Sequence, residues 1–143
     1  MTIIEAINQV DGIKFNTYSQ EDKVRWLSSL DAKITAVLEG AYPSPMGVSV
    51  PYDPNTDMER DLLLESPWDE MYIRWMEAMI DYNNGETDSY NRSITLFNNL
   101  YQNFMDWYIR RNMPARYPLS WLFRMMLTYY PKLYFRINGA RWV

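Results

Sequence analysis

The most informative absences from this 143-residue sequence are those of cysteine and histidine. Without cysteine the chain cannot form disulfide bonds or thiolate metal sites, and without histidine it lacks the commonest general base and the commonest metal ligand. The five glycines are widely spread, which excludes a glycine-rich phosphate-binding loop. We therefore expect no cofactor, and no motif predicts a reaction.

Long apolar runs are also missing. The longest apolar stretch lies near the C-terminus, and Arg124 and Lys132 interrupt it well short of the about 20 residues that span a bilayer. The first residues contain neither a basic segment nor an apolar one, so we expect no secretory signal. The composition predicts a protein of the cytoplasm or of an assembly, without a membrane.

The sequence does contain a sharp division of charge. Residues 1–113, the body, carry all eighteen acidic residues and nine basic ones, which gives a net charge of −9. Residues 114–143, the arm, carry five basic residues and no acid; eighteen of its thirty residues are apolar, eight of them aromatic. Such a segment exposes too much apolar surface to stay solvated, so it has to cover its own body, a neighbouring copy or a partner.

Capping signals and apolar periodicity predict that the body is all-α. Thr2 and Glu5 have the capping-box pattern, which predicts a short helix over residues 3–11. A second helix is predicted over residues 20–39. It begins after the N-cap residue Ser19 and ends at a glycine, and its apolar stripe includes either Leu30 or Asp31.

Two further helices are predicted to form an αα-hairpin with an aromatic seam. Ser66 and Pro67 have the pattern of an N-cap and a first helical residue, so we expect a helix over residues 66–84. In the next helix, over residues 88–112, apolar residues recur at alternating four- and three-residue steps. This seam comprises Tyr90, Ile94, Phe97, Tyr101, Phe104 and Tyr108. The shared core is predicted to contain Leu27, Ile34, Met76, Ile94, Phe97, Tyr101 and Phe104.

Prolines break the helical pattern over residues 41–65 and predict a long central loop, with a short strand near Tyr52 as an alternative. We expect this loop to extend from the helical body. Its acidic residues are predicted to face a channel or neighbouring copies, and they are Asp53, Asp57, Glu59 and Asp61.

Two acidic patterns resemble functional sites, one a calcium-binding loop and the other a pair of catalytic carboxylates. The loop has part of the spacing of a calcium loop, but Met58 stands where glycine is required and Leu64 where the bidentate glutamate should be. We therefore expect a solvated acidic loop without a metal. Pairs such as Asp69/Glu70 and Glu77/Asp81 lie on helices beside Arg74, and we interpret them as exposed, ion-paired faces rather than as acid–base catalysts. We expect no enzymatic activity.

The arm is predicted to bind a protein partner. Its apolar spacing favours a helix at about residues 118–130. A single-stranded nucleic-acid platform, a membrane-surface helix and folding back onto its own hairpin remain as alternatives. The residues that we expect to contact the partner are Arg116, Trp121, Phe123, Arg124, Tyr130, Lys132, Tyr134, Arg136 and Trp142.

Four segments of the body resemble one protein family. They are TIIEAIN (residues 2–8), NTYSQEDKVRWLSSLD (16–31), SPWDEMYIRWMEAMIDYNNG (66–85) and YNRSITLFN (90–98). In this order they are similar to small head–tail connector, or adaptor, proteins of tailed bacteriophages. The resemblance covers most of residues 1–113 and contains no catalytic motif. The family pattern is expected to end soon after residue 114, where this chain continues into the arm.

The resemblance implies a structural protein of the virion neck. Connectors of this type are mostly helical and assemble as rings, commonly of twelve copies, beneath the portal protein. They extend the DNA channel and dock a stopper or tail-completion protein, while duplex DNA passes through without sequence-specific binding. An acidic lining suits such a channel, because it repels phosphate. The protein would be in the host cytoplasm during assembly. The alternative is a stand-alone helical adaptor or regulator that binds one protein through the arm.

Overall fold

The computed structural model describes residues 1–41, 51–112, 124–125 and 128–129. The chain forms two compact units, Met1–Ile109 and Arg110–Val143. The structure confirms the predicted all-α class, since four helices account for most of the described residues. They are α1 (Ile3–Ile13), α2 (Gln20–Ala41), α3 (Glu70–Asn84) and α4 (Thr87–Asn112). The described ranges contain no strand, only an isolated antiparallel bridge between Thr2 and Asp61.

Helix α1 begins at the predicted capping box. The N–H of Thr2 donates to Oε2 of Glu5 at 2.8 Å, and the N–H of Glu5 donates to Oγ1 of Thr2 at 3.3 Å. The helix continues to Ile13, two residues beyond the prediction, and four of its apolar side chains are buried. This short helix therefore contributes fully to the core, through Ile3, Ala6, Ile7 and Val10.

Helix α2 also begins as predicted, because Oγ of Ser19 accepts the N–H of Asp22 at 3.2 Å. Its end differs from the prediction, since the helix passes through Gly40 to Ala41. Glycine lowers helix stability by only about 1 kcal/mol, so it can lie inside a helix. Both residues considered for the stripe, Leu30 and Asp31, are buried.

Helix α3 begins at Glu70, so the prediction that it starts at Ser66 is wrong. Residues 65–72 instead form successive turns in which N–H groups bond to carbonyls three residues earlier, as from Trp68 to Glu65 at 2.9 Å. The other end of α3 agrees with the prediction. Gly85 has φ 75°, and the N–H of Glu86 donates to the carbonyl of Asp81 at 3.0 Å, which is a Schellman ending. The αα-hairpin therefore spans residues 70–112.

The two helices of the hairpin meet through large aromatic side chains. The rings of Trp75 on α3 and Phe97 on α4 lie 5.1 Å apart, and Trp68, just before α3, lies 5.7 Å from Phe104 of α4. In the predicted seam, Phe97, Phe104 and Tyr108 are buried, whereas Tyr90, Ile94 and Tyr101 are only half-buried. Burial of Ser93 and Met105 shows that the buried face is turned slightly from that seam. The predicted core residues Leu27, Ile34 and Met76 are buried.

The described part of the central loop lies against the body, so for residues 51–65 the expectation of an extended loop is wrong. The N–H groups of Ile3 and Ile4 donate to the carbonyls of Arg60 and Met58 at 3.0 and 2.9 Å. Leu62 and Leu64 are buried in the core. The strand considered near Tyr52 does not include that residue, and residues 42–50 lie outside the described ranges.

In the unit Arg110–Val143, the described residues beyond α4 are helical. They are residues 124–125 and 128–129, and Oγ1 of Thr128 donates to the carbonyl of Arg124 at 2.8 Å. The rest of the helix predicted at about residues 118–130 lies outside the described ranges.

Candidate interaction surface

The central loop is held to the body by a buried carboxylate on α2. Asp31 is 0% exposed, and each of its two oxygens accepts a hydrogen bond from a tyrosine hydroxyl. Tyr72 on α3 donates to Oδ1 at 2.6 Å, and Tyr52 of the loop donates to Oδ2. Burial raises the pKa of Asp31, while hydrogen bonds from Tyr52, Tyr72 and Leu63 oppose that rise. This network fastens α2, α3 and the loop together.

Two of the acidic side chains of the loop accept hydrogen bonds from N–H groups of the loop itself. Oδ2 of Asp57 accepts the N–H of Asp53 at 2.8 Å, and Oδ1 of Asp53 accepts the N–H of Asn55 at 2.9 Å. Asp53, Glu59 and Asp61 are exposed, and Asp57 is half-buried. Two of the four acids therefore shape a turn, and the prediction that they face a channel or a neighbouring copy stays a prediction. Among the described residues no group of acidic side chains could hold a metal ion.

The structure agrees with only part of the prediction that the carboxylate pairs of α3 are exposed and ion-paired. Arg74 pairs with Glu70 at 3.2 Å and with Glu77 at 3.0 Å, which confirms the predicted partners. Glu77 and Asp81, however, are buried. Each has a cationic partner, Arg74 for Glu77 and Lys14 for Asp81, which lowers the cost of burying a charged carboxylate.

Asp81 joins three helices at one end of the body. It forms an ion pair with Lys14, which directly follows α1, and its Oδ2 accepts a hydrogen bond from Ser93 of α4 at 2.9 Å. Lys14 also donates to Oγ of Ser89 at 3.3 Å. Burial alone would raise the pKa of Asp81, but the hydrogen bonds from Lys14, Ser93 and Ser89 hold it below its usual range. The cluster is fully paired, so we interpret it as structural rather than catalytic.

Next to this cluster lie the most exposed apolar side chains of the described residues. Phe15, in the α1–α2 connection, is 90% exposed, and Ile13 is 61% exposed. Tyr82, next to Asp81 on α3, is 66% exposed and contacts the ring of Tyr90 at 5.6 Å. Tyr82 also lines an open depression of about 320 Å³, together with residues 81, 85–87 and 90–91. We call Ile13, Phe15, Tyr82 and the acids Glu86 and Asp88 the Phe15 surface.

The connection that carries Phe15 is fixed on both sides. Before it, Lys14 is tied to Asp81; after it, Nδ2 of Asn16 donates to Oδ1 of Asp11 at 2.9 Å. Further on, the hydroxyl of Tyr18 donates to Oδ1 of Asn84 at 2.7 Å. The exposed ring is therefore displayed by a held segment. Little ordering entropy would be lost when a partner covers it.

No family model matches the chain, and no curated protein or solved structure matches it. None of the helices in the described ranges is long and apolar enough to cross a lipid bilayer.

Of the residues predicted to contact a partner, the structure describes Arg124, whose side chain is exposed. The other eight lie outside the described ranges: Arg116, Trp121, Phe123, Tyr130, Lys132, Tyr134, Arg136 and Trp142. The sequence prediction missed the Phe15 surface. Its signal was an aromatic residue within the polar connection between two capped helices, where no core position was available for it.

Proposed function

We propose that this protein is a non-enzymatic head–tail connector of a tailed bacteriophage. In this role it forms a ring under the portal protein, extends the DNA channel and docks the tail through a stopper or tail-completion protein. Its place is the neck of the virion. The resemblance of the four body segments to connector proteins points to this role, and the all-α body is compatible with it.

The observation that carries the proposal is the division of charge within one chain. All eighteen acids belong to residues 1–113, and residues 114–143 combine five bases with eight aromatic residues. A chain that carries an acidic body and a basic, apolar segment can bind its own copies head to tail. Heterologous contacts of this kind generate rings when the rotation closes. Ring formation is the property that a connector requires.

The paired carboxylates support a structural rather than an enzymatic role. Asp31 accepts two tyrosine hydroxyls, and Asp81 is paired with Lys14 and bonded to Ser93. Catalytic acids and bases have to reach a substrate, whereas these two side chains are 0% exposed. Their contacts join elements of the body to one another.

The test is the mass and shape of the full-length protein, alone and mixed with the portal protein of the same phage. We expect closed rings, either free or formed only on the portal. Size-exclusion chromatography with light scattering gives the mass, and negative-stain electron microscopy gives the shape. A protein that stays monomeric in both samples would contradict the proposal.

One feature favours the single-partner adaptor as a second candidate. The large exposed apolar side chains Phe15, Ile13 and Tyr82 are concentrated at one end of the body. One such surface is enough to bind one foreign protein. The two candidates differ in stoichiometry, because an adaptor binds its partner one to one and forms no ring.

A further inference from the structure

We propose that the Phe15 surface is the docking site for the arm, residues 114–143, of a second copy of this chain. The inference rests on one part of the proposed function, the contact between copies. It does not require the copies to come from a phage.

The first step is that Phe15 leaves a large apolar side chain exposed to water. Burying a phenylalanine side chain is worth about 2–3 kcal/mol, and Phe15 is 90% exposed in the single chain. Scattered exposed apolar residues are ordinary, but here Ile13 and Tyr82 are exposed at the same end of the body. Since the segment is tied down by Lys14 and Asn16, the ring cannot easily turn inward. A second molecule that covers this ring would gain that burial energy.

The second step is the chemistry of that molecule. Glu86 and Asp88 are exposed, and Glu86 lines the open depression together with Tyr82 and Tyr90. A fitting partner segment has aromatic side chains for the apolar part and cations for the acids. Large aromatic residues flanked by arginine are typical of interface hot spots, and complementary charge directs their docking.

The third step is that the chain itself contains such a segment. The arm has eight aromatic residues, five cations and no acid. Every copy of the protein brings one arm and one Phe15 surface, so the two are always present in equal amounts. Contact between different patches on two copies is heterologous and can continue from copy to copy.

The experiment uses two full-length variants with opposite defects. Phe15→Asp loses the docking surface but keeps the arm, and Lys132→Glu with Arg136→Glu changes the arm but keeps the surface. We expect each variant alone to self-associate at least about 30-fold more weakly than the wild type, as hot-spot losses do. Mixed, they should form a one-to-one heterodimer, because one intact arm then meets one intact surface. Sedimentation velocity measures both results.

Leu96→Asp is the matched control. Leu96 is an exposed apolar residue on α4, 47% exposed, outside the Phe15 surface. The control should self-associate like the wild type, and circular dichroism should give the same helical content for all variants. If Phe15→Asp keeps the wild-type mass, or the mixture stays monomeric, the inference is overturned. A wild type that is monomeric at every concentration overturns it too.

A second measurement does not depend on variants that alter folding. A photo-crosslinking phenylalanine analogue at position 15 is introduced into isotopically labelled protein, which is then mixed with unlabelled protein. Crosslinks from position 15 to residues 114–143 of the other isotope support the inference. Crosslinks only to the body of the other copy, or only within one chain, contradict it. Rings that form with Phe15→Asp unchanged would reject this docking site but leave the proposed connector function standing.

Discussion

The hydroxyl of Tyr72 lies between two buried groups: it donates to Oδ1 of Asp31 at 2.6 Å and accepts the N–H of Leu64 at 2.9 Å. One oxygen atom thus joins α3 to α2 and to the end of the central loop. Tyr72 and Asp31 are both 0% exposed, so water cannot replace the hydroxyl. Loss of that atom leaves a donor and an acceptor unsatisfied at once.

We therefore expect Tyr72→Phe to lower the free energy of unfolding by about 3 kcal/mol, because two buried polar groups lose their partner. Urea unfolding followed by circular dichroism measures this change. Tyr82→Phe is the control, since Tyr82 is 66% exposed; it should change stability by less than about 0.5 kcal/mol. Equal effects of the two substitutions would show that the network contributes nothing.

The two buried aspartates should give opposite pH dependences. Burial raises the pKa of Asp31 above its ordinary 3.8, so the folded state binds this proton more tightly than the unfolded state. Its contribution is fully present below the unfolded pKa and is lost as the pH rises through the folded pKa. The stability difference between wild type and Asp31→Asn should thus favour the wild type more at about pH 4 than at about pH 7.

The pH dependence that Asp81 gives to stability should have the opposite sign, because the pKa of Asp81 in the folded protein lies below 3.8. Its contribution is present above the unfolded pKa and is lost as the pH falls through the folded one. The difference between wild type and Asp81→Asn should favour the wild type more at about pH 7 than at about pH 3. Urea unfolding of wild type and variant at these pH values measures this difference in stability. The same sign for both variants would mean that one of the two environments is misjudged.

The packing of Phe97 within the hairpin should make a large contribution to the free energy of unfolding. Phe97 is 7% exposed, and its ring contacts Trp75 at 5.1 Å and Tyr101 at 6.0 Å. Phe97→Ala should cost about 3–5 kcal/mol, because it removes a buried aromatic side chain. The neighbouring exposed Leu96 provides the control, and Leu96→Ala should cost less than about 1 kcal/mol. A cost for Phe97→Ala no greater than that of the control would place Phe97 outside the core.

The arm should be dispensable for folding and necessary for assembly. A chain ending at Met113 should keep its helical content and melt cooperatively, because α1 to α4 lie within it. It should also fail to bind the portal protein in a pull-down that retains the full-length chain. Unfolding or aggregation of the shortened chain would mean that the arm belongs to its own core.

Local signals in the sequence predicted local structure well. The Thr2–Glu5 capping box and the Ser19 cap were found as expected, because their partners are three residues apart. The predicted end of the helix at residue 84 was also correct, and it too depends on local backbone hydrogen bonds. Helix existence and the all-α class follow from such signals and from apolar periodicity.

Contacts between distant residues could not be predicted in the same way. Helix α3 starts later than the capping pattern at Ser66 predicts, since residues 65–72 form turns and Trp68 packs against Phe104, which is 36 residues away in the sequence. The partners of Asp31 are 21 and 41 residues away, so a single sequence gives no sign of them. Phe15 was missed because periodicity identifies buried faces, and this residue lies outside every helix.

The beginning of α1 has a consequence for anions. Helix amino ends bind phosphate when their first N–H groups are free to donate. Here the N–H groups of Thr2, Ile3, Ile4 and Glu5 already donate, to Glu5, Arg60, Met58 and Thr2 respectively. The positive end of the α1 dipole is thereby closed to outside ligands, so a passing polyanion finds no donors at this helix end.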